Sequence, residues 1–231
     1  MIYITGDTHG DFSRFESFCK KIAPTADDTM IILGDAGLNY YNGPKDFIRK
    51  EYAAQFPLNF FCIHGNHEMR PTDISTYKTK EFCGGTVWYE EQYPSLLFAK
   101  DGEIYSFGGY DCIVVGGAYS VDKYYRLSRG ASWFENEQPS DEIKAYVEQK
   151  LAVRNNEIDI VLSHTCPLKY EPAEVFLSGL DQSTVDKSTE KWLGKIEAML
   201  DYKKWYCGHY HTIKKTDKLQ FIFEDIDLLG L

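Results

Sequence analysis

The chain has 231 residues, of which 43% are hydrophobic and 26% charged, and its formal net charge is −10 at pH 7. This length and composition are typical of a globular protein, and we expect residues 1–231 to form a single domain. The negative charge argues against extended nucleic acid as a partner, because such binding requires Lys and Arg that neutralise phosphates. No apolar run approaches the ~20 residues that span a bilayer. The first motif starts at Gly6, which leaves no room for a signal peptide, so we expect a cytoplasmic protein with no membrane partner.

Short apolar runs alternate with amphipathic segments over much of the chain. Runs rich in β-branched or aromatic residues predict buried strands at 2–5, 30–33, 59–63, 158–163 and 204–207. Apolar residues at three- and four-residue steps predict helices at 11–22, 44–55, 140–154 and about 186–200. Repeated strand–helix units of this kind are typical of an α/β fold with helices packed outside its sheets.

The middle and the end of the chain show a different pattern. Residues 86–118 predict strands separated by turns at Asp101-Gly102 and Gly108-Gly109, and residues 212–226 predict a hairpin that turns at Asp217-Lys218. The pattern leaves residues 119–139 as the one long irregular stretch, and a loop of that length is usually functional or mobile. We therefore expect two packed sheets flanked by helices, with one functional loop.

Five of the six histidines lie in four short segments, each of which follows an apolar run. Histidine, carboxylate and carboxamide side chains are ligands that borderline divalent metals accept. The carboxyl ends of strands are also where ligands collect in α/β sheets. Any one of these residues could be a structural strand-end residue, but together they predict a metal site formed by Asp7, His9, Asp35, Asn66, His164, His209 and His211. His64 lies outside the pattern and is interpreted as structural or as an outer contact. The cysteines are interpreted as small buried residues, with a ligand role left open only for Cys166.

Seven ligands are more than one ion needs, so we expect two divalent ions that share Asp35. The other ligands then divide into Asp7, His9 and His211 for one ion, and Asn66, His164 and His209 for the second. Two ions ~3.5–4 Å apart can bind a bridging hydroxide that attacks phosphorus in line. Two divalent ions, two carboxylates and one hydroxide leave about one net positive charge, which favours a phosphate anion. Manganese is the expected metal, with iron or zinc as alternatives.

The order Asp-x-His, Gly-Asp, Gly-Asn-His-Glu, a lone His and Gly-His-x-His resembles the calcineurin-like metallophosphoesterase superfamily from residue 5 to 211. The resemblance implies a four-layer αββα sandwich of two mixed sheets flanked by helices. It also implies two metal ions, the ligand roles given above, and hydrolysis of phosphomonoesters or phosphodiesters. For His67 it implies the catalytic role of protonating the leaving group or stabilising the transition state, which suits a side chain that titrates near neutral pH.

One motif differs from that of the phosphoprotein phosphatases in this superfamily. They typically read Gly-Asp-x-x-Asp-Arg-Gly, where the second Asp orients the catalytic His and the Arg binds phosphate. Here Leu38 and Asn39 occupy those two positions, so the sequence leaves open which group orients His67.

A replacement phosphate-binding segment is predicted further along the chain. Residues 116–126 look similar to a segment of small bacterial and phage metallophosphoesterases. They overlap the irregular stretch 119–139, which contains Lys123, Arg126 and Arg129. These three are the candidate substrate-binding residues, because Arg in particular matches phosphate oxygens. The alternative is a solvated loop whose charges pair with one another. Trp133-Phe134 could also form an apolar wall of the substrate pocket.

The leading hypothesis is therefore a metal-dependent phosphatase or phosphodiesterase whose substrate is a phosphorylated small molecule or a phosphoprotein. A non-catalytic scaffold of the same fold is the alternative from another class, although such a scaffold is expected to lack ligands and none is missing here. A nuclease or phosphodiesterase that acts on nucleic-acid ends is a further alternative. A homo-oligomer formed through aromatic surface is left open.

Overall fold

The computed structural model describes residues 1–231 without a gap, and its regular elements alternate as the apolar pattern predicts. The strands are β1 (Ile2–Thr5), β2 (Thr29–Ile32), β3 (Asn59–Cys62), β4 (Lys78–Phe82), β5 (Gly85–Glu90), β6 (Tyr93–Ala99), β7 (Ile104–Phe107), β8 (Tyr110–Val115), β9 (Glu157–Ser163), β10 (Asp201–Cys207), β11 (Lys214–Lys215), β12 (Leu219–Phe221) and β13 (Asp227–Leu228). The helices are α1 (Ser13–Ile22), α2 (Pro44–Ala53), α3 (Lys123–Ser128), α4 (Asp141–Val153) and α5 (Ser188–Met199). None of these helices combines the length and the apolar character that a membrane crossing requires.

The strands form two mixed sheets. The first has seven strands in the order β13-β1-β2-β3-β6-β5-β4, and the second has six in the order β11-β12-β10-β9-β8-β7. In the first sheet β1, β2, β3 and β6 run parallel, and in the second β8, β9, β10 and β12 run parallel. Antiparallel pairs extend both sheets outward from these parallel centres. Parallel strands of one sheet end at the same edge, so the loops that follow them lie side by side.

Three apolar cores lie between four layers. The central core joins the facing sides of the two sheets and contains residues such as Ile31, Phe61 and Leu162. A second core packs α1 and α2 against the outer side of the first sheet. A third packs α4 and α5 against the outer side of the second sheet. The αββα sandwich is therefore confirmed. All four residues of β2 are buried, as a parallel strand covered on both sides requires.

The five predicted strands and four predicted helices are confirmed to within a few residues. Helix α4 begins after Ser140, whose side-chain oxygen accepts a hydrogen bond from the Ile143 backbone N–H at 3.3 Å, as the sequence predicts for an N-cap. Helix α1 begins at Ser13 rather than at residue 11, because the Asp11 carboxylate accepts from the Ser13 N–H in a turn. The C-terminal hairpin is formed by β11 and β12, and it is shorter than predicted.

Other parts of the prediction are wrong. Residues 119–139 are not irregular throughout, because α3 lies within them. They are also not the only long irregular stretch, since residues 164–187 contain only three short 3-10 turns. Strands β4 and β13 lie at the edges of the first sheet and were not predicted. Both are largely exposed, and such edges carry polar side chains that give no apolar signal.

Phe107 offers a test of the central core. Its fully buried ring lies 5.0 Å from that of Phe61 and 5.8 Å from that of Tyr105, measured between centroids. Removal of a buried aromatic ring leaves a cavity, so we expect Phe107→Ala to lower the free energy of unfolding by about 3–5 kcal/mol in urea titrations. Val153 is 79% exposed, and Val153→Ala should change it by less than about 0.5 kcal/mol. Equal effects of the two substitutions would contradict the described core.

Candidate metal centre

The structure brings the seven predicted ligands together where parallel strands of both sheets end. Asp7 and His9 follow β1, Asp35 follows β2 and Asn66 follows β3. His164 follows β9 on the second sheet, and His209 and His211 follow β10. Because the sheets face each other, these loops meet over the ends of the central core.

Four of the ligands have a backbone conformation that residues with a side chain rarely adopt. The φ angles are 49° at His9, 48° at Asp35, 66° at His209 and 47° at His211. Left-handed backbone at a residue other than glycine costs energy and persists only where the surrounding structure fixes it. Because four predicted ligands share this backbone conformation, we infer that the surrounding structure fixes these loops so that their side chains converge.

Glycines allow the ligand loops to approach one another closely. A Cβ at Gly65 would lie 2.0 Å from Asp35 Oδ1, and a Cβ at Gly34 would lie 2.0 Å from His164 Nδ1. Neither distance is compatible with the present positions of those ligands. The glycines in these motifs are therefore needed for the ligands to pack as they do.

Backbone N–H groups orient the two carboxylates. The His209 N–H donates to Asp7 Oδ1 at 3.0 Å, and the His67 N–H donates to Asp35 Oδ1 at 2.7 Å. The second oxygen of each carboxylate faces imidazoles: Asp7 Oδ2 is 3.2 Å from His211 Nε2, and Asp35 Oδ2 is 3.7 Å from His164 Nε2. Asp35 Oδ2 is also 4.0 Å from His9 Nδ1, so it lies between imidazoles from both sheets.

Lone pairs point at each other in this cluster. The carbonyl of Leu33 lies 2.8 Å from His164 Nδ1, and since a carbonyl only accepts, the neutral ring carries its proton on Nδ1. His164 Nε2 is then an acceptor, yet it lies 2.8 Å from Asn66 Oδ1. The Asn66 amide nitrogen donates to Ser120 Oγ at 2.9 Å, which fixes the carbonyl toward the histidine. Two acceptors at this distance repel each other unless a proton or a metal ion lies between them.

The protonation of the ligands suits metal binding. Burial lowers the pKa of His209 to about 3, so its ring is neutral and can coordinate. Burial raises the pKa of Asp7, but the hydrogen bond from His211 and the charges of nearby histidines outweigh this and hold it below its ordinary value. The same hydrogen bond raises the pKa of His211. A proton therefore competes with a cation at the Asp7–His211 pair.

The donor set and its spacing fit divalent cations. Ligand atoms within 4.8 Å of one another occur in two overlapping groups, Asp7 with His9 and His211, and Asp7 with Asp35 and His164. Asn66 and His209 extend the second group through His164, whose ring centroid lies 4.9 Å from that of His209. Mixed imidazole and carboxylate donors suit manganese, iron or zinc better than calcium or magnesium.

His67 lies beside the ligands and is held by residues of the 119–139 segment. The Arg126 guanidinium donates to His67 Nδ1 at 3.0 Å, so the neutral ring carries its proton on Nε2. His67 Nε2 is 3.8 Å from Asp122 Oδ1. Burial lowers the pKa of His67, and the carboxylates of Asp35 and Asp122 offset only part of this effect. The orienting groups thus come from a different segment than in the phosphoprotein phosphatases.

The same segment also holds Asn66, one of the predicted metal ligands. Ser120 Oγ accepts from Arg126 at 2.6 Å and from Asn66 at 2.9 Å, and it donates to Glu137 at 2.5 Å. One buried hydroxyl therefore connects the His67 partner to the amide of Asn66. In the second motif, Leu38 is buried in the core and Asn39 accepts from the Tyr77 hydroxyl, so neither residue contacts His67.

The three predicted substrate-binding cations occupy different environments. Arg126 is only 4% exposed and lies behind His67, where its two terminal nitrogens contact His67 and Ser120 and its Nε lies 3.3 Å from Asp122 Oδ1. The Lys123 ammonium lies 3.8 Å from the Trp133 ring centroid, and the Arg129 guanidinium lies 5.5 Å from that of Tyr125. None of the three lines the cavity over the metal ligands. Their role in substrate binding stays a prediction.

A cavity of about 430 Å³ opens over the ligands. Its apolar side comes from residues 175–185 and not from Trp133-Phe134, which lie elsewhere. Glu190 of α5 also lines it and was not predicted as a site residue. Nothing in the helical pattern separates this carboxylate from other charged positions. Pro167, Pro172 and Gly179 do mark residues 164–187 as irregular, and that signal was available in the sequence.

Two residues singled out in the sequence lie outside the ligand cluster. Cys166 is fully buried in the core beneath α5, and burial raises the pKa of its thiol well above the ordinary value. His64 is buried, neither ring nitrogen has a hydrogen-bond partner, and its backbone carbonyl accepts from the Gly117 N–H. Both side chains are therefore structural in position.

The fold and the ligand cluster define a metal-binding α/β sandwich protein. Residues 1–212 match the model of the calcineurin-like phosphoesterase family, and the chain belongs to that family. Metal-dependent hydrolysis of phosphoesters is the general activity of its members.

Comparison with solved structures supports the fold. The crystal structure of TT1561 from Thermus thermophilus is similar with a TM-score of 0.52 and 13% identity, over 96% of this chain and 87% of that one. A protein of unknown function, AQ665 from Aquifex aeolicus, has a TM-score of 0.36 and 11% identity, over 74% of this chain and 81% of that one. At 13% identity the likeness to TT1561 concerns the fold alone, and the second structure supports no conclusion about this chain. The sequence matches no curated protein.

Gly65 offers a test of the ligand packing. Because its Cβ would meet Asp35 Oδ1 at 2.0 Å, we expect Gly65→Ala to weaken manganese binding by at least roughly tenfold, measured by calorimetric titration of the metal-free protein. Gly43→Ala is the matched control, since the nearest atom to its Cβ is the Tyr41 carbonyl oxygen at 3.8 Å. Unchanged manganese affinity in Gly65→Ala, with the fold intact by circular dichroism, would contradict this arrangement.

Proposed function

We propose that the protein is a phosphoesterase that uses two divalent ions, with manganese the first choice and iron or zinc as alternatives. The observation that carries this proposal is the contact between acceptors at the strand ends, above all His164 Nε2 with Asn66 Oδ1 at 2.8 Å. A structural cluster of polar side chains would pair donors with acceptors. The His164–Asn66 contact instead brings two acceptors together, which is an arrangement that a bound cation stabilises.

The seven ligands would hold the ions, with Asp35 between the two sets. Ions bound there would supply the positive charge that attracts a phosphate and the activation of the attacking water. The chain itself brings two carboxylates and neutral rings such as that of His209, so the local charge would favour an anion despite the net charge of −10. No Lys or Arg lines the cavity, which leaves the bound ions as the principal attraction for phosphate.

His67 supplies the proton for the departing alcohol in this proposal. The Arg126 guanidinium donates a hydrogen bond to His67 Nδ1, so the proton that His67 can transfer is on Nε2. The lowered pKa keeps the ring neutral at pH 7, and a neutral imidazole releases its proton only to a strongly basic oxygen, such as an alkoxide that forms as the bond to phosphorus breaks. Asp122, with its Oδ1 3.8 Å from His67 Nε2, lies on the side of the ring that carries this proton and would help to orient it.

The substrate proposed for this site is a phosphorylated small molecule. A cavity of about 430 Å³ leads away from the ligands and has room for the alcohol part of a phosphomonoester or the two arms of a phosphodiester. A protein chain would have to enter the same cavity, which makes a phosphoprotein a weaker candidate. The same reaction would hydrolyse a phosphoester at a nucleic-acid end, but the cavity lining has no Lys or Arg that could bind a second phosphate.

The proposed activity predicts a defined contrast between two variants. With Mn²⁺ added, the wild type should hydrolyse p-nitrophenyl phosphate or bis-p-nitrophenyl phosphate. Asp35→Asn should abolish turnover and reduce bound metal, because this carboxylate faces both ligand groups. His67→Ala should retain metal and lose roughly 10²–10⁴-fold in kcat, the usual contribution of a general acid.

Elemental analysis and steady-state kinetics measure these outcomes. The ratio of monoester to diester rates assigns the protein to phosphatases or to phosphodiesterases. The non-catalytic scaffold would instead give no turnover of either ester with Mn²⁺, Fe²⁺ or Zn²⁺, and that result would refute the proposal.

Arg126 is proposed as a positioning residue that acts through His67. We expect Arg126→Met to lower kcat by about tenfold or more with little change in KM, because the donor to His67 Nδ1 is lost. In a His67→Ala background the same substitution should have almost no further effect, since the two residues act as one unit. A thermal melt of each variant controls for damage to the buried network around Ser120.

A direct phosphate-binding role for Arg126 gives the opposite pattern. KM would rise, and the loss would persist in the His67→Ala background. The double-mutant cycle therefore separates the positioning role from the substrate-binding role that the sequence predicts.

A further inference from the structure

The cavity over the metal ligands continues into a region with a distinct chemistry. One side is an apolar wall formed by residues 175–185, including Val175, Phe176 and Leu177. The ring of Phe176 stacks on that of Tyr210, whose neighbours in the chain are the ligands His209 and His211, with 6.1 Å between the centroids. The wall therefore begins at the metal centre and leads away from it.

Every charged side chain of the lining is acidic. Beside the ligand Asp35, the lining includes the carboxylates of Asp122, Glu171, Asp186 and Glu190, without any Lys or Arg. This region would repel an alcohol that carries further phosphate or carboxylate groups. It would accept a neutral group, and its apolar wall favours an aromatic or aliphatic one.

Three of these four carboxylates are already paired within the chain. Asp122 pairs with Arg126 at 3.3 Å, and Glu171 pairs with Lys187 at 2.8 Å. Asp186 accepts from the side chain of Gln138 at 3.0 Å and from the Ser188 N–H. Their charges are compensated, so they do not call for a ligand.

Glu190 is different because its second oxygen has neither a hydrogen bond nor an ion pair. Asp122 Oδ1 also accepts no hydrogen bond, but it lies 3.3 Å from the Arg126 Nε and so has a cation beside it. Glu190 is 3% exposed, and its Oε1 accepts from Thr165 Oγ1 at 2.8 Å. Its Oε2 is buried and accepts no hydrogen bond from the protein. An acceptor left unpaired in a protein interior is unfavourable and is uncommon in folded proteins. Burial raises the pKa of Glu190 to about 7, so the chain compensates its charge only in part.

Glu190 also lies next to the metal centre. Thr165, which donates to it, follows the ligand His164 directly in the chain. A group that contacts Glu190 from the cavity would therefore be close to a phosphate held over the ligands. An aromatic ring that packs on the apolar wall and carries a hydrogen-bond donor directed at Glu190 would match both the wall and the unpaired oxygen.

We propose that Glu190 and the wall of Val175, Phe176 and Leu177 form a subsite for the alcohol part of the substrate, and that this alcohol is a neutral aromatic group bearing an N–H or O–H donor. The inference rests on the proposed phosphoesterase function and deepens it. The donor pairs with Glu190 Oε2, and the ring packs on the wall. Alcohols that carry additional anionic groups are disfavoured by the acidic lining.

Two aryl phosphates with leaving groups of similar acidity test the subsite. Phenyl phosphate and 4-aminophenyl phosphate differ in the amino donor, so their kcat/KM ratio reports on the acceptor. With the Mn²⁺-loaded protein we expect a preference of about tenfold for the amino compound. Glu190→Leu keeps the bulk of the side chain without its oxygens, and the preference should fall to about one.

Glu197→Leu is the matched control. Glu197 lies on the same helix two turns later, accepts from the Tyr202 hydroxyl at 3.0 Å and does not line the cavity. Its substitution should leave the preference at the wild-type value. If Glu190 is merely a structural carboxylate, the wild type will show no preference, or the preference will survive in Glu190→Leu. Either result overturns the proposal.

Binding of non-hydrolysable analogues separates failure of the subsite from failure of the proposed function. Titration calorimetry with phenylphosphonate, 4-aminophenylphosphonate and 4-carboxyphenylphosphonate should give the tightest binding for the amino compound and the weakest for the carboxylate. This comparison uses the wild type alone, so it stands even if Glu190→Leu does not fold. Selective binding without turnover would refute the phosphoesterase function and retain the subsite. Turnover with equal binding of all three would refute only the subsite.

Discussion

The site depends on one unfavourable contact that the fold maintains. His164 Nε2 and Asn66 Oδ1 both present lone pairs at 2.8 Å, and neither can turn away. The imidazole is held by the Leu33 carbonyl and the amide by Ser120, two partners on opposite sides of the contact. Apolar packing of the two sheets keeps their strand ends together and so opposes the repulsion. A cation would convert this repulsion into coordination, so metal binding and stability of the folded chain are expected to be linked.

A negative net charge of the chain is compatible with the proposed anionic substrate, because bound cations would set the charge inside the cavity. Only short-range charge matters inside a partly enclosed cavity, because distant surface charges are screened over about 10 Å in ordinary buffers. The lining offers carboxylates and no cation of its own. Bound ions would therefore govern whether phosphate enters, and the apolar wall would govern which alcohol accompanies it. Affinity and selectivity then arise from separate parts of one cavity.

The sequence predicted the buried parts of the molecule well. The strands that precede the predicted ligands contain short apolar runs followed by Gly or His, and this pattern predicted each of them. The edge strands β4 and β13 escaped prediction because exposed strands need no apolar alternation. Glu190 and Arg126 show the limit for the site. Their contacts join segments far apart in the chain, and a Glu or an Arg on a helix carries no local sign of its tertiary partner.

In this chain a residue of the 119–139 segment contacts His67, whereas in the phosphoprotein phosphatases an Asp of the second motif does so. Where the phosphoprotein phosphatases place an orienting Asp close to their metal-binding Asp, this chain has Leu38, which is buried in the core. Arg126 reaches His67 from helix α3, and Ser120 connects the same guanidinium to the amide of Asn66. A displacement of this segment would therefore affect the proposed proton donor and a predicted metal ligand together. The segment also borders the cavity through Tyr119, Val121 and Asp122, so in the proposed phosphoesterase an alcohol bound there would stabilise this arrangement.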